Sequence, residues 1–328
     1  LTAGIDLRPF DRDRIAEVVS VWNAAAGRAF PLREVVFRQN TVLDPHFDPE
    51  GAALACERST GRVVGCGIAK VARVPLGTDG LRPDRGWVGF LVVHPNHQRR
   101  GVGAALLRAA EEFLRAQGRP AAVLGSDPAH FFPGVPDDTG SAGFFEARGY
   151  TMRGEAYDLH RSLRGYRTPE AVTAALRDNP DTDIRPLAHG EEAALLAFLD
   201  ATFPGRWRYT IAQFLEGDGS IGDVMGVVRG RAVLGFALLF HPGSRWIGPS
   251  IAWAPRPSPA ATVGLGPMGL SPALRGRGLG LALLDRAVVH LAAHGGDEMV
   301  IDWTILLDFY GKLGFTPCRR YRHGERTL

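Results

Sequence analysis

Apolar residues recur along this chain in two rhythms, and both rhythms come round twice. A period of about 3.6 residues predicts helices over Ile15–Ala25 and Glu191–Phe203. A further helix follows a glycine-rich turn in each half. Leu106, Leu107, Ala110, Phe113 and Leu114 make one apolar face, and Leu283, Leu284, Ala287, His290 and Leu291 repeat it. Runs of β-branched residues flank Gly61 and again Gly230, and each reads as a hairpin. Trp87–Val93 and its counterpart Ala261–Leu270 are predicted strands, and Met299–Trp303 a buried one. Each half runs helices, hairpin, strand, glycine turn, helix, strand, helix. That order predicts an α/β fold of the α+β kind, built on a mixed sheet.

The repetition keeps register. "DLRPF" at Asp6–Phe10 returns as "DIRPL" at Asp183–Leu187, and "QRRGVG" at Gln98–Gly103 as "RGRGLG" at Arg275–Gly280. Arg8 and Arg185 lie 177 apart (185 − 8), as do Gly101 and Gly278 (278 − 101) and Gly118 and Gly295 (295 − 118). A constant offset over such a distance argues for a duplicated domain. "FFEARGY" at Phe144–Tyr150 matches "FYGKLGF" at Phe309–Phe315 with a smaller offset of 165 (314 − 149). The first half therefore carries extra residues, assigned to "HFFPGVPDDTG" at His130–Gly140. Thr168-Pro169-Glu170 opens a capped helix that Asn179-Pro180 ends. The expected domains are 1–165 and 181–328, joined by a linker helix over 166–180.

Composition narrows the classes. At 328 residues, with 45% hydrophobic and 22% charged content, the chain suits two globular domains. The longest apolar run, near Ala232–Phe240, is too short for a membrane span, and Leu1–Phe10 lacks a leader pattern. The net charge is +3, and the arginines are interleaved with acids. The basic end, Arg319, Arg320, Arg322 and Arg326, reads as a solvated strand and not as a nucleic-acid surface. Cys56, Cys66 and Cys318 supply neither a disulfide framework nor metal-ligand spacing, so no metal is expected and a reducing cytoplasm fits. Lys70 and Lys312, the only lysines, read as compositional bias.

The glycine turns carry the chemistry. A strand that delivers glycines to a helix N-terminus presents unpaired N–H groups and the positive end of the helix dipole, a setting for phosphate. Neither turn has the third glycine of G-x-G-x-x-G, and no G-x-x-x-x-G-K-[ST] occurs. What remains is [Q/R]-x-x-G-x-[G/A], twice. This resembles the acyl-CoA pyrophosphate loop of the GNAT superfamily of N-acetyltransferases, and the resemblance covers nearly all of both halves. It implies acetyl-CoA as cosubstrate. Leu91 and Val93 would pair their backbone with the pantetheine arm, and the amides of Arg99, Arg100, Gly101, Val102 and Gly103 would hold the pyrophosphate. The matching positions in the second half are Met268 and Leu270, then Gly276, Arg277, Gly278, Leu279 and Gly280.

Acetyl transfer needs a deprotonated amine and a proton for the departing thiolate. By the resemblance, a tyrosine on the closing helix supplies that proton. Tyr310 stands at this position, whereas the first half has Phe145, with Tyr150 displaced to the end of its motif. Asp302, an acid inside the apolar strand "MVIDW", is the candidate base, and Asp127 its partial counterpart. Chemistry is therefore expected in the second half, beside a degenerate first copy. Phe203–Tyr209 ("FPGRWRY") is a candidate acceptor wall or a plain interhelical turn, His130–Gly140 a lid, wall or rigid loop, and His290 a core histidine. The expected activity is transfer of acetyl to an amine of a small molecule or peptide by direct attack. The alternative is a non-catalytic acyl-CoA-binding or sensing protein. The expected partners are acetyl-CoA and an amine-bearing acceptor, with neither membrane nor nucleic acid. The expected assembly is a monomer with an internal pseudo-dimer, or a homodimer.

Overall fold

The computed structural model describes residues 4–217, 219–254 and 260–328, so the first three residues of the Leu1–Phe10 stretch lie outside the described residues. Two compact units form, and neither is one unbroken stretch of chain. Unit 1 is Leu1–Leu76, Gly80–Ala156 and Arg320–Leu328; unit 2 is Gly77–Asp79 and Tyr157–Arg319.

The chain begins with β1 (Ile5–Pro9), α1 (Ile15–Ala26), α2 (Glu34–Asn40), β2 (Ala52–Glu57), β3 (Val63–Lys70) and β4 (Gly86–Val93). After the first glycine turn come α3 (Val102–Ala116), β5 (Ala121–Leu124), β6 (Val135–Pro136), α4 (Ala142–Glu146) and β7 (Thr151–Ser162). Helix α5 (Glu170–Arg177), within unit 2, leads to β8 (Asp183–Pro186), α6 (Glu192–Thr202), α7 (Arg206–Glu216), β9 (Val224–Arg229), β10 (Ala232–Phe240) and α8 (Pro249–Ala252). β11 (Thr262–Leu270), α9 (Leu279–Ala293), β12 (Glu298–Thr304), α10 (Leu307–Gly311) and β13 (Thr316–Thr327) complete it.

In unit 1, β1 to β4 pair antiparallel in order and β5 joins β4 in parallel. In unit 2, β8 to β11 pair antiparallel and β12 joins β11 in parallel. This is the mixed α/β sheet that the rhythm predicts. The closing strands are exchanged. β5 of unit 1 pairs with Gly324–Thr327 at the end of β13, and β12 of unit 2 pairs with β7 from Tyr157 onward.

The helix after each glycine turn lies on its sheet with the predicted leucine face inward. Leu106, Leu107 and Leu114 are buried on α3, as are Leu283, Leu284 and Leu291 on α9. Each buried leucine contributes about 1.5–3 kcal/mol relative to exposure. His290 differs from its expectation as a core histidine. It sits half-buried at the rim of α9 with its ring centroid 4.1 Å from that of His294.

Both units also carry the same break in register. The β3–β4 ladder passes from Ile68↔Phe90 to Ala69↔Val88, and the β10–β11 ladder from Ala237↔Met268 to Leu239↔Leu265. Gly89 and Gly266 fall at the break, 177 apart (266 − 89). Such bulges re-aim a strand where it must leave its neighbour.

Candidate active site

Past the break the paired strands part. The parallel ladder ends at Val88↔Leu124 in unit 1 and at Leu265↔Ile301 in unit 2. In unit 1 the gap opens into a cleft of about 1030 Å³ that runs from Trp22 and Phe90 past the glycine turn to Phe144. The His130–Gly140 insertion forms part of its wall through Phe132, Gly134, Val135 and Pro136.

The turns have the geometry that phosphate needs. Helix α3 starts beyond Gly101 at φ +79°, and α9 beyond Gly278 at φ +76°, and neither receives a side-chain cap. Their first N–H groups therefore have no acceptor within the helix, and the dipole adds to the attraction for an anion. The glycines have reasons beyond phosphate approach. A Cβ on Gly101 or Gly276 would meet nothing within 4 Å, so those residues serve the left-handed backbone. A Cβ on Gly278 would come within 2.6 Å of the Ala175 Cβ, so here the glycine admits helix α5.

Leu91, Val93, Arg99, Gly101 and Gly103 all line the unit 1 cleft. Arg100 is exposed, and Val102 is buried against Ile5, Ala55, Val64 and Leu106, which leaves only its backbone for a ligand. In unit 2, Met268 and Leu270 are half-buried on β11, Arg277 is exposed, and Leu279 is in the core. Gly276 and Gly278 both have φ of +76°, and Gly280 lies against the Phe309 ring.

Asp302 follows the last step at which β12 pairs with β11. A Cβ on Gly266 would come 2.7 Å from its Oδ1, so only glycine at the bulge admits the carboxyl. That oxygen is shielded from solvent and has no hydrogen-bond partner among the described residues. Burial, and then the charge of Asp158, push the Asp302 pKa up to about 7, against a hydrogen bond from its own backbone N–H and the pull of Arg206. Tyr310 is buried on α10, between the rings of Phe309 and Phe315. Burial and the charge of Asp302 raise its hydroxyl above the ordinary tyrosine range, so it holds its proton at neutral pH. Next to Asp302, Trp303 takes φ +45° and lies 4.8 Å beneath the Arg206 guanidinium. Arg206 opens α7, so within Phe203–Tyr209 only Phe203–Gly205 is the interhelical turn, and the first turn of α7 brings Arg206 to Trp303.

The same place in unit 1 is chemically closed. A Cβ on Gly89 would come 2.9 Å from Asp127 Oδ1, which repeats the Gly266–Asp302 relationship. But Lys70 Nζ lies 2.6 Å from Asp127 Oδ2 and 2.8 Å from Asp44 Oδ2, with all three side chains buried. Burial works against the Lys70 ammonium, yet the two carboxylates outweigh it and hold its pKa above the ordinary lysine value. Phe145 offers no hydroxyl where Tyr310 stands. The Tyr150 hydroxyl instead donates to Glu111 at 3.1 Å.

The profile of the Acetyltransferase (GNAT) family matches residues 18–150 and 192–315. The chain belongs to the GNAT acetyltransferase family. Among relatives of this GNAT, the mycothiol acetyltransferase of Sanguibacter keddieii is 31% identical over 252 residues, 71% of this chain and 73% of its own. The GCN5-related glucosamine N-acetyltransferase region of a fungal multi-domain GH3 β-N-acetylglucosaminidase superposes with TM-score 0.86 at 26% identity, over 99% of this chain. This chain spans 38% of the length of that fungal protein. A tandem GNAT protein from the clavulanic acid biosynthesis pathway shares the fold at TM-score 0.68 and 20% identity, over 98% of each chain. Among the described residues no helix is long and apolar enough to cross a membrane, and no group of acidic, histidine or cysteine side chains has metal-binding geometry.

Three residues escape the sequence reading of this GNAT. Lys70 reads there as compositional bias, although a lysine inside the apolar run "VVGCGIAKVARV" is itself a signal of a buried partner. Arg206 lies in a segment whose role is left open. Asp158 carries no signal, because it belongs to the first repeat but accepts the Trp303 N–H in unit 2.

Proposed function

We propose that unit 2 of this acetyltransferase transfers the acetyl group of acetyl-CoA to the amine of an amino sugar or of a small aminated conjugate. The observation that carries the reading is Asp302, whose Oδ1 is shielded and has no hydrogen-bond partner among the described residues, poised near neutrality, with a protonated Tyr310 nearby. When bound, acetyl-CoA supplies the activated thioester. The uncapped amides from Gly276 to Gly280 suit its pyrophosphate, and the length of β11 at Met268 and Leu270, past its pairing with β12, suits its extended arm. Asp302 takes a proton from the acceptor nitrogen as the C–N bond forms, and Tyr310 gives one to the sulfur as the C–S bond breaks. A base with a pKa near the working pH is the efficient one.

The amino-sugar class is supported by the glucosamine N-acetyltransferase region, which is 26% identical over nearly the whole of this chain. Aromatic side chains support it as well. Trp303, next to Asp302, lies under Arg206, and Trp207, next to Arg206 on α7, packs on Phe203 with part of its ring exposed. Such faces accept the apolar side of a sugar ring while charged groups hold its polar edge.

Unit 1 is proposed as a copy that holds acyl-CoA without transfer, because its carboxylate is committed to Lys70 and its closing helix has Phe145. The boundaries 1–165, 166–180 and 181–328 are proposed as the division of the duplicated sequence, whose closing strands the folded units exchange.

The test is free-thiol release from acetyl-CoA with glucosamine and its conjugates, set against amino acids, polyamines and peptides. Release confined to amino sugars supports the reading, and release with another amine class overturns the acceptor. Tight acetyl-CoA binding with no release from any amine would instead favour the binding or sensing role.

A further inference from the structure

Asp158 reaches unit 2 from outside its sequence repeat. Strand β7 starts in unit 1, and from Tyr157 onward it belongs to unit 2, antiparallel to β12 through Thr304↔Tyr157 and Ile301↔Leu159. Asp158 lies on that stretch and is buried. Its Oδ1 accepts the Trp303 N–H at 3.3 Å, and its Oδ2 lies 3.5 Å from the Arg319 guanidinium. Its own backbone carbonyl accepts from Cys318 Sγ at 3.3 Å.

Trp303 is the residue that most needs such a bond. A bulky aromatic rarely adopts φ +45°, and it persists there only where its surroundings hold it. The turn at Trp303 immediately follows Asp302, so it governs where the Asp302 carboxyl lies relative to Gly266.

We propose that Asp158 is a positioning residue for Asp302, pinning the turn at Trp303 and setting the local charge, so that the C-terminal repeat works only with a strand lent by the N-terminal one. This rests on the reading of Asp302 as the base of unit 2. Among the described residues, the charged groups shown facing the pair are Arg206 from α7 and Arg319 from β13, with the Tyr310 hydroxyl and the Cys318 thiol as further titratable groups. Burial, followed by the Asp158 charge, pushes the Cys318 thiol up to about 11. Neither that thiol nor the Tyr310 hydroxyl therefore titrates near neutrality, where Asp302 does.

The decisive experiment is a ¹³C carboxyl NMR titration of the full chain, with the Asp302 signal assigned by its loss in Asp302→Asn. Asp158→Asn keeps an oxygen for the Trp303 N–H and removes the charge. Its Asp302 midpoint is expected to fall by about one pH unit or more. The ascending limb of kcat/KM for amine-dependent thiol release should move with it. Asp158→Ala also removes the acceptor, and kcat should drop on the order of 10–100-fold with little change in KM for acetyl-CoA. Arg319→Met, which removes a cation beside Asp158, should move the midpoint upward, and it serves if Asp158→Asn does not fold. An unmoved midpoint in a folded variant of either kind overturns the proposal. A moved midpoint in a chain that releases no thiol with any amine leaves Asp158 as the positioning residue and overturns the transfer reading instead.

Discussion

Lys70 in unit 1 and Phe240 in unit 2 occupy the same place in their two sheets. Lys70 pairs with Trp87 and Phe240 with Gly264, and those partners are 177 apart (264 − 87), the offset of the duplicated turns. One residue type separates the fates of two acids. Lys70 compensates Asp127, whereas Phe240 is an apolar side chain packed against Gly248 and compensates nothing. Asp302 is thereby left to titrate in the range where a base for an amine is useful.

Replacing Lys70 by Met should cost about 3–5 kcal/mol of stability, since it leaves Asp44 and Asp127 buried without their cation. Urea unfolding of the variant measures this. A loss below about 1 kcal/mol would mean that the carboxyls simply protonate or relax.

Tyr310→Phe gives unit 2 the residue that unit 1 already has at Phe145. Thiol release should fall about 10²–10⁴-fold while affinity for acetyl-CoA is kept. A full rate across the pH range would show that another group protonates the sulfur.

Asp302 should couple activity and stability in opposite senses. Its carboxyl titrates at about 7 in the folded chain, against about 3.9 when unfolded. Below the lower value both states are protonated and the group costs nothing. As pH rises from there to about 7, only the unfolded chain gives up its proton, and the folded state loses on the order of 2–4 kcal/mol. Asp302→Asn should therefore match wild type near pH 4, gain on it up to about 7, and stay ahead above that. Transfer by wild type should rise through the same range and be lost in the variant. Thermal melts at several pH values check the first statement, and rate profiles the second.

Glutamate placed in each glycine turn separates the two units. Gly103→Glu and Gly280→Glu both put a negative charge where pyrophosphate would sit, at helix N-termini that tolerate glutamate. Gly103→Glu should remove one equivalent of acetyl-CoA in a calorimetric titration and leave thiol release intact. Gly280→Glu should abolish release. The reverse pattern would place the chemistry in unit 1.

The contact with α5 makes a further difference between the turns. Gly101→Ala meets only the strain of a left-handed alanine, about 1–2 kcal/mol. Gly278→Ala meets the same strain and also the Ala175 Cβ, 2.6 Å away. The second variant should show the lower melting temperature; equal values would mean that α5 moves aside freely.

Much of this was legible from order along the chain. Hairpins at Gly61 and Gly230, the leucine faces of α3 and α9 and the two glycine turns are set by neighbouring residues and by periods of about two and 3.6. Duplication showed itself because a fixed offset survives in the sequence. Asp302 stood out as an acid among apolar neighbours, and Tyr310 by comparison with Phe145.

What only the tertiary structure decided depends on pairs that are distant in sequence. Lys70 meets Asp127 across 57 positions and Trp303 meets Asp158 across 145, and nothing local marks either pair. The exchange of closing strands belongs here too, since both repeats carry the same strand and the sequence does not say which sheet each one joins. A side chain's type is written in the chain, but its ionisation is set by burial and by the charges that folding brings near it. Two acids beside the same glycine of the same bulge can therefore end in different states, one clamped by a lysine and the other left open to protonation.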